Sequence, residues 1–210
     1  MLWVDNIFVS IQGESSYVGF PTVFVRLFGC PVGCAYCDTI QKKKSKMSLG
    51  RIVDMVRSYK GIKYVCITGG EPLIQEDTMP LVYELQGLGY NVSIETSGCV
   101  PLDEGSFRHS YKYVMDIKCP SSEVSHKNVY ENLLKLQTND EVKFVIADRK
   151  DYEFMKKVLK KYPTQAQILV SPMFGVDMKP VIGKFLVDWV IEDNINCRFN
   201  FQVHKFMGVE

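Results

Sequence analysis

The chain has 210 residues, a formal net charge of +1 and 46% hydrophobic residues. It can bury a sizeable core as one domain over 1–210, and so balanced a charge excludes a dominant polyanionic partner, so no nucleic acid is expected. Residues 1–14 carry no basic start followed by a long apolar run, and no stretch reaches the roughly 18 apolar residues of a membrane span, which points to a cytoplasmic protein with no membrane partner.

In chain order, the apolar runs Ile7–Ile11 and Thr22–Phe28 read as strands. The lysine-rich stretch Gln41–Lys46 reads as a solvated loop. Leu49–Tyr59 has helical period behind an N-cap Ser48, Tyr64–Thr68 is strand-like, and Met79–Leu88 is helical behind Asp77, with Pro80 tolerable in its first turn. Asn91–Glu95 and Tyr113–Ile117 follow as strands and Asn128–Leu136 as a helix. Strand Glu141–Ile146, helix Asp151–Tyr162, strand Gln167–Val170, helix Lys179–Ile191 and strand Arg198–Val203 complete the series. Such alternation implies parallel strands with crossover helices. A complete barrel of eight units needs about 250 residues. The expected fold is therefore α/β, an open partial β/α barrel of parallel strands with helices outside.

Alternate strand residues face opposite sides. Val23, Val25 and Leu27 share one face of the second strand and Thr22, Phe24 and Arg26 the other. Ser10, Gln12 and Glu14 share parity near the first strand, and Arg198, Asn200, Gln202 and His204 in the last. A buried parallel sheet is apolar on both faces, so a polar face predicts a wet, functional interior. Glu71, Thr96, Lys118 and Ser171 each follow a strand, at the ends where β/α folds collect their active sites.

Seven cysteines are an odd number for a disulfide framework. Cys30, Cys34 and Cys37, in Cys30-Pro31-Val32-Gly33-Cys34-Ala35-Tyr36-Cys37-Asp38-Thr39, are spaced to bring three thiolates to one centre. Structural zinc and most iron–sulfur clusters take four ligands, so three leave one corner open. The alternative is a zinc site completed by Cys119 or His204, in a binding module rather than an enzyme. Cys66, Cys99, Cys119 and Cys197 read as small apolar residues, with Cys119 placed near the site by Lys118. In Thr68-Gly69-Gly70-Glu71-Pro72 the glycines permit close backbone approach, and Glu71 has the charge to receive the ammonium of a bound amino acid.

The three-cysteine loop followed by Gly-Gly-Glu-Pro resembles the radical S-adenosylmethionine enzymes. Adding Ile11-Gln12-Gly13-Glu14, Phe24-Val25-Arg26, Cys37-Asp38-Thr39, Glu95-Thr96-Ser97-Gly98, Asp116-Ile117-Lys118-Cys119-Pro120-Ser121-Ser122 and Gln202-Val203-His204-Lys205, the chain from residue 7 to 205 resembles the 7-carboxy-7-deazaguanine synthase family. The resemblance implies a radical ring contraction of 6-carboxy-5,6,7,8-tetrahydropterin to 7-carboxy-7-deazaguanine with loss of ammonia. In that family a 5′-deoxyadenosyl radical takes a hydrogen from substrate C6 and later returns it. The implied cofactors are a [4Fe-4S] cluster, S-adenosylmethionine and Mg²⁺; the implied partners are an external flavodoxin- or ferredoxin-like electron donor and a second copy in a homodimer. Residue by residue, it implies Cys30, Cys34 and Cys37 on the cluster and Thr39 on magnesium. Tyr36, Cys37, Asp38, Gly70, Glu71, Asp116, Ile117, Lys118, Ser171, Pro172, Met173 and Phe174 fall around S-adenosylmethionine. Ile11, Gln12, Gly13, Glu14, Arg26, Thr68, Thr96, His204 and Glu210 fall around the substrate. No further catalytic group is assigned. Two departures stand out: Ser15 follows Glu14 where many members have glycine, and Glu210 differs from the small or proline endings associated with the family. An activase that installs a glycyl radical on a partner polypeptide shares the cysteine loop, but the Gln12, Glu14 and Arg26 interior suits a small anionic substrate better.

Overall fold

The computed structural model describes residues 1–37, 39–41, 43–102, 111–175 and 179–209. Its strands are β1 (Leu2–Ile11), β2 (Pro21–Leu27), β3 (Ser45–Met47), β4 (Tyr64–Gly69), β5 (Asn91–Thr96), β6 (Tyr111–Ile117), β7 (Glu141–Ile146), β8 (Gln167–Pro172) and β9 (Arg198–Phe199). Its α-helices are α1 (Leu49–Ser58), α2 (Thr78–Gly87), α3 (Arg149–Lys161), α4 (Gly183–Glu192) and α5 (Val203–Met207). The strands form one sheet in the order β3-β1-β2-β4-β5-β6-β7-β8-β9. From β2 to β9 all neighbours are parallel. Only β1 is antiparallel to its neighbours, β2 and β3. The fold is the open, partial β/α barrel with an antiparallel margin.

Strand parity divides the chemistry. Val23, Val25 and Leu27 on β2, Val65 and Ile67 on β4, and Val142 and Phe144 on β7 pack with Ile52, Leu81, Tyr152 and Leu186 from α1, α2, α3 and α4. At about 1.5–3 kcal/mol for each large apolar side chain removed from water, this outer layer holds the helices to the sheet. The inner face is thereby free to carry polar groups. Arg26, Thr68, Glu95, Asp116, Lys143 and Ser171 occupy alternate positions there and line cavities.

Several elements differ from the sequence reading. The segment expected as helix Asn128–Leu136 is a 3₁₀ turn over Tyr130–Leu134. The Asn128 side chain bonds the backbone of Lys118 at N and O, and that of Asn132 bonds Leu102 N and Val100 O, so these amides tie the segment to neighbouring loops instead of supporting a helix. Helix α4 starts at Gly183 because Lys179 and Val181 are spent on backbone hydrogen bonds to Gly175 and Met173. Part of the lysine-rich stretch forms β3, which pairs Ser45–Met47 with the start of β1. Ser48 caps α1 as expected, accepting from Arg51 N at 3.3 Å. Asp77 stands at the N-cap of α2 without a side-chain cap bond, its carboxylate being paired with the amino group of Met1. The last strand stops at Phe199, and Val203, bonded through its N to Gly13 O at 3.0 Å, begins α5 instead.

The loop after β1 closes the lower end of the barrel. Ser16 N donates to Glu141 Oε1 at 2.9 Å, and Lys112, fully buried, pairs with Glu141 at 2.9 Å beneath the ring of Tyr17. Ser15 N donates to Asn200 Oδ1 and its carbonyl accepts from Arg198, both at 2.9 Å. Ser15 takes φ 66°, the left-handed region that disfavours side chains by about 1–2 kcal/mol, and its hydroxyl accepts from Tyr17 N at 3.1 Å. Ser15→Ala and Ser15→Gly both delete that bond and differ only in left-handed strain. The glycine variant should therefore be the more stable of the two by about 1 kcal/mol in a denaturant titration. Equal stabilities would mean that the backbone there is not strained.

Candidate active site

The cysteine loop leaves β2 and is pinned by its own surroundings. Lys127 Nζ donates to Pro31 O and Val32 O at 2.8 and 2.7 Å, Ala35 N to Ser122 O at 3.1 Å, and Cys37 N to Cys34 O at 3.2 Å. Beneath it runs the end of β4. Gly70 N donates to Leu27 O and Glu71 N to Gly29 O, an approach so close that a Cβ on Gly70 would lie 2.2 Å from Gly29 O and 2.6 Å from Cys30 Cβ. Cys30, Cys34 and Cys37 carry free thiols and line one cavity of about 580 Å³. Burial pushes the Cys34 thiol up, partly offset by nearby Lys118. Among the described residues no three His, Cys, Asp or Glu gather closely enough to hold a single ion. A four-iron cluster takes one thiolate per iron. The donor set, three thiolates on a pinned loop facing a chamber with room for another ligand, fits that group.

The same cavity carries Tyr36, Gly69, Gly70, Asp116, Lys118, Ser171, Pro172, Met173 and Phe174. Ile117 is buried in the outer core, so it can offer only its backbone. Cys119 is also buried in the core and is no ligand. Glu71 corrects the sequence reading. Its side chain is fully buried and accepts from Leu73 N, Thr96 Oγ1, Ser97 N and Ser97 Oγ. It therefore braces the ends of β4 and β5 and offers no carboxylate to an ammonium. Thr96, expected beside the substrate, spends its hydroxyl on Glu71 and borders the cysteine cavity. Glu71→Gln would put an amide donor against donors; it should cost about 1–3 kcal/mol of stability with little change in S-adenosylmethionine affinity beyond that explained by unfolding. A large, specific affinity loss in a stable Glu71→Gln protein would contradict this placement.

A second cavity of about 630 Å³ adjoins the first, and Glu14, Thr39, Thr68, Glu95, Gln202 and Lys205 line both. It brings together Ile11, Gln12, Gly13, Arg26 and His204. The His204 ring sits on Gly13, where an added Cβ would lie 1.8 Å from Nδ1 and 2.9 Å from the histidine Cβ. Arg26 lies over Phe8 at 5.4 Å, and its NH1 donates to Thr39 Oγ1 at 3.4 Å. Asp38 and Glu210 lie outside the described residues.

Glu95, quoted only as part of a motif, and Lys143 were given no site role from the sequence. Glu95 accepts from Gln12 Nε2 at 3.2 Å and Thr68 Oγ1 at 2.9 Å. Lys143 pairs with Glu14 and, at 3.3 Å, with Asp116, which also pairs with Lys118 at 2.7 Å. Burial alone would raise the Glu14 and Asp116 carboxyls, but Lys143 for the first, and Lys118 and Lys143 for the second, bring both below their ordinary values. The alternation Glu141, Lys143, Val145 against Val142, Phe144, Ile146 is the signal that could have found Lys143; Ser93 and Glu95 on β5 are the equivalent for Glu95.

Residues 25–163 match the family model described as Radical SAM superfamily. A 7-carboxy-7-deazaguanine synthase of Methanospirillum hungatei is 39% identical over 98% of this chain and 85% of its own length. One of Koribacter versatilis is 38% identical over 97% of this chain and 96% of its own. The crystal structure of QueE from Escherichia coli shares the fold with a TM-score of 0.77 at 23% identity, covering 97% of this chain and 94% of that one.

Proposed function

The chain belongs to the radical S-adenosylmethionine superfamily and, within it, to the 7-carboxy-7-deazaguanine synthases, and from that membership we propose which of its residues carry the reaction. The activity is the radical ring contraction of 6-carboxy-5,6,7,8-tetrahydropterin to 7-carboxy-7-deazaguanine with loss of ammonia, in queuosine and 7-deazapurine biosynthesis. The cofactors are a [4Fe-4S] cluster and S-adenosylmethionine; reduced, the cluster supplies the electron that cleaves the sulfonium.

Cys30, Cys34 and Cys37 hold the cluster. Tyr36, Asp38, the backbone of Gly70, Glu71 and Ile117, the side chains of Asp116 and Lys118, and the turn Ser171–Phe174 surround S-adenosylmethionine. In the neighbouring chamber Ile11, Gln12 and Gly13 read the pterin edge, Arg26 pairs with the carboxylate, and Glu14, Thr68 and His204 complete the walls. The observation that carries this reading is the shared wall: the cysteines face one chamber, Arg26 faces the other, and Thr39, Thr68 and Glu95 border both. S-adenosylmethionine held in the first would therefore adjoin a substrate held in the second.

Thr39 is the protein's magnesium ligand in this reading, since one hydroxyl plus substrate oxygens and water is how magnesium is often held. Its hydroxyl lies beside Arg26, so Thr39 would hold the cation next to the side chain assigned to the substrate. An external flavodoxin- or ferredoxin-like protein supplies electrons. The chain acts as one cytoplasmic domain in a homodimer in this reading; among the described residues no helix is long and apolar enough to cross a membrane. The test is anaerobic reconstitution with iron and sulfide, then incubation with the tetrahydropterin, S-adenosylmethionine and a reductant. A product of the mass of 7-carboxy-7-deazaguanine, formed only with all three, is expected. Zinc without iron, or no product from a protein carrying a full cluster, would overturn the reading.

A further inference from the structure

One ammonium group that lines the cysteine chamber reaches, through Glu14, the wall shared with the other chamber, and none of the roles given above uses it. Lys143 rises from the inner face of β7 and is shared by two carboxylates of different origin. Glu14 comes from the loop after β1 and borders both chambers; Asp116 comes from β6 and borders only the cysteine chamber. Each carboxylate has a further partner on its own side. Gln202 Nε2 donates to Glu14 Oε1 at 2.6 Å, and Lys118 Nζ donates to Asp116 Oδ2 at 2.7 Å. A polar chain Gln202–Glu14–Lys143–Asp116–Lys118 thus runs from the shared wall into the cysteine chamber.

We propose that Lys143 is a positioning residue that couples the two chambers, so that pterin binding and S-adenosylmethionine binding strengthen one another. The inference rests on the functional reading above. Glu14 and Asp116 repel each other across the wall, and one shared ammonium is what lets both stay in place at low dielectric. Burial by itself would discharge Lys143, but Asp116 and Glu14, with Glu95 beyond them, hold its ammonium well above the ordinary lysine range. The lysine therefore stays charged and bound to both. A ligand that settles against the Glu14 side fixes Lys143, and fixing Lys143 fixes Asp116 on the other side. Ordering once for two ligands is positive coupling, and linkage makes it reciprocal.

The experiment uses the full chain with its cluster oxidised and no reductant, so that nothing turns over. S-adenosylmethionine is titrated with and without the tetrahydropterin. In the wild type the substrate should tighten S-adenosylmethionine binding by about fivefold or more. In Lys143→Met the two affinities should agree within about twofold, and Lys143→Arg, which keeps the charge and the donors, should restore most of the difference. A merely structural role would weaken binding without removing the dependence of one ligand on the other. Lys143→Met retaining the wild-type ratio, or a wild-type ratio of one, would overturn the proposal. Where Lys143→Met does not fold, Lys143→Gln, which keeps a donor and removes the charge, decides: loss of the ratio with each ligand still binding alone supports the coupling and its retention overturns it. Wild-type product formation measured in parallel separates the two levels, because product with a Lys143-independent ratio sinks only this inference, whereas no product sinks the reading beneath it.

Discussion

Adding one methyl group at Gly70 is expected to cost the protein its cluster. The strand end of β4 lies directly under the segment that leads into the first cysteine, and the atoms a Cβ would strike are the backbone of Gly29 and Cβ of Cys30. None of these is the free end of a flexible side chain. The hydrogen bonds Gly70 N to Leu27 O and Glu71 N to Gly29 O tie the two segments together, so relief requires the Cys30 backbone to move. Displacements of about 1 Å at a reacting centre cost on the order of a hundredfold in rate, and a cluster ligand tolerates such a shift poorly. Gly70→Ala should retain less than about half of the wild-type iron and sulfide after reconstitution and lose about a hundredfold in product formation. Gly50→Ala, on the exposed start of α1 with nothing within 4 Å of an added Cβ, is the matched control and should behave as the wild type. Full iron content and full activity in Gly70→Ala would show that the close approach is not what places Cys30.

The second large effect is expected at Arg26. Its position on the inner face of β2 is fixed by register, with Arg26 opposite Thr68 on the parallel neighbour and opposite Asn6 on the antiparallel one. The Phe8 ring beneath it and Thr39 at its tip hold the guanidinium toward the second chamber. A charge-assisted hydrogen bond to a carboxylate contributes about 1.5–3 kcal/mol, on the order of ten- to a hundredfold in affinity. Arg26→Ala should therefore weaken substrate binding by that factor while leaving S-adenosylmethionine binding near the wild-type value, and Arg26→Lys should recover only part of it, because a point charge does not reproduce the planar fork. Unchanged substrate affinity in Arg26→Ala would remove Arg26 from the substrate contacts.

The division between an apolar outer face and a polar inner one was legible from alternation alone. Val23, Val25 and Leu27 against Thr22, Phe24 and Arg26 is the pattern that the packed core and the cavities reproduce. The cysteine spacing was equally readable, because it is local. What the chain did not disclose were contacts between distant segments. Nothing near Glu71 in sequence says that Thr96 and Ser97 will satisfy its carboxylate, and nothing near Val203 says that Gly13 will take its amide and end the strand early. Asn128 and Asn132 turned a helical period into a 3₁₀ turn through backbone partners on other loops. Ser15 is the opposite case. Its departure from glycine was visible as a local irregularity, and the structure places it in the conformation that glycine serves best.

In the proposed reaction a hydrogen passes from a pterin in one chamber to an adenosyl group in the other. The most direct test is to give the cluster-loaded, anaerobic protein a tetrahydropterin deuterated at C6, with S-adenosylmethionine and reductant, and to weigh the 5′-deoxyadenosine recovered. Deuterium in the 5′-deoxyadenosine is the predicted result. Product formed from labelled substrate with no deuterium reaching the adenosyl group would contradict it.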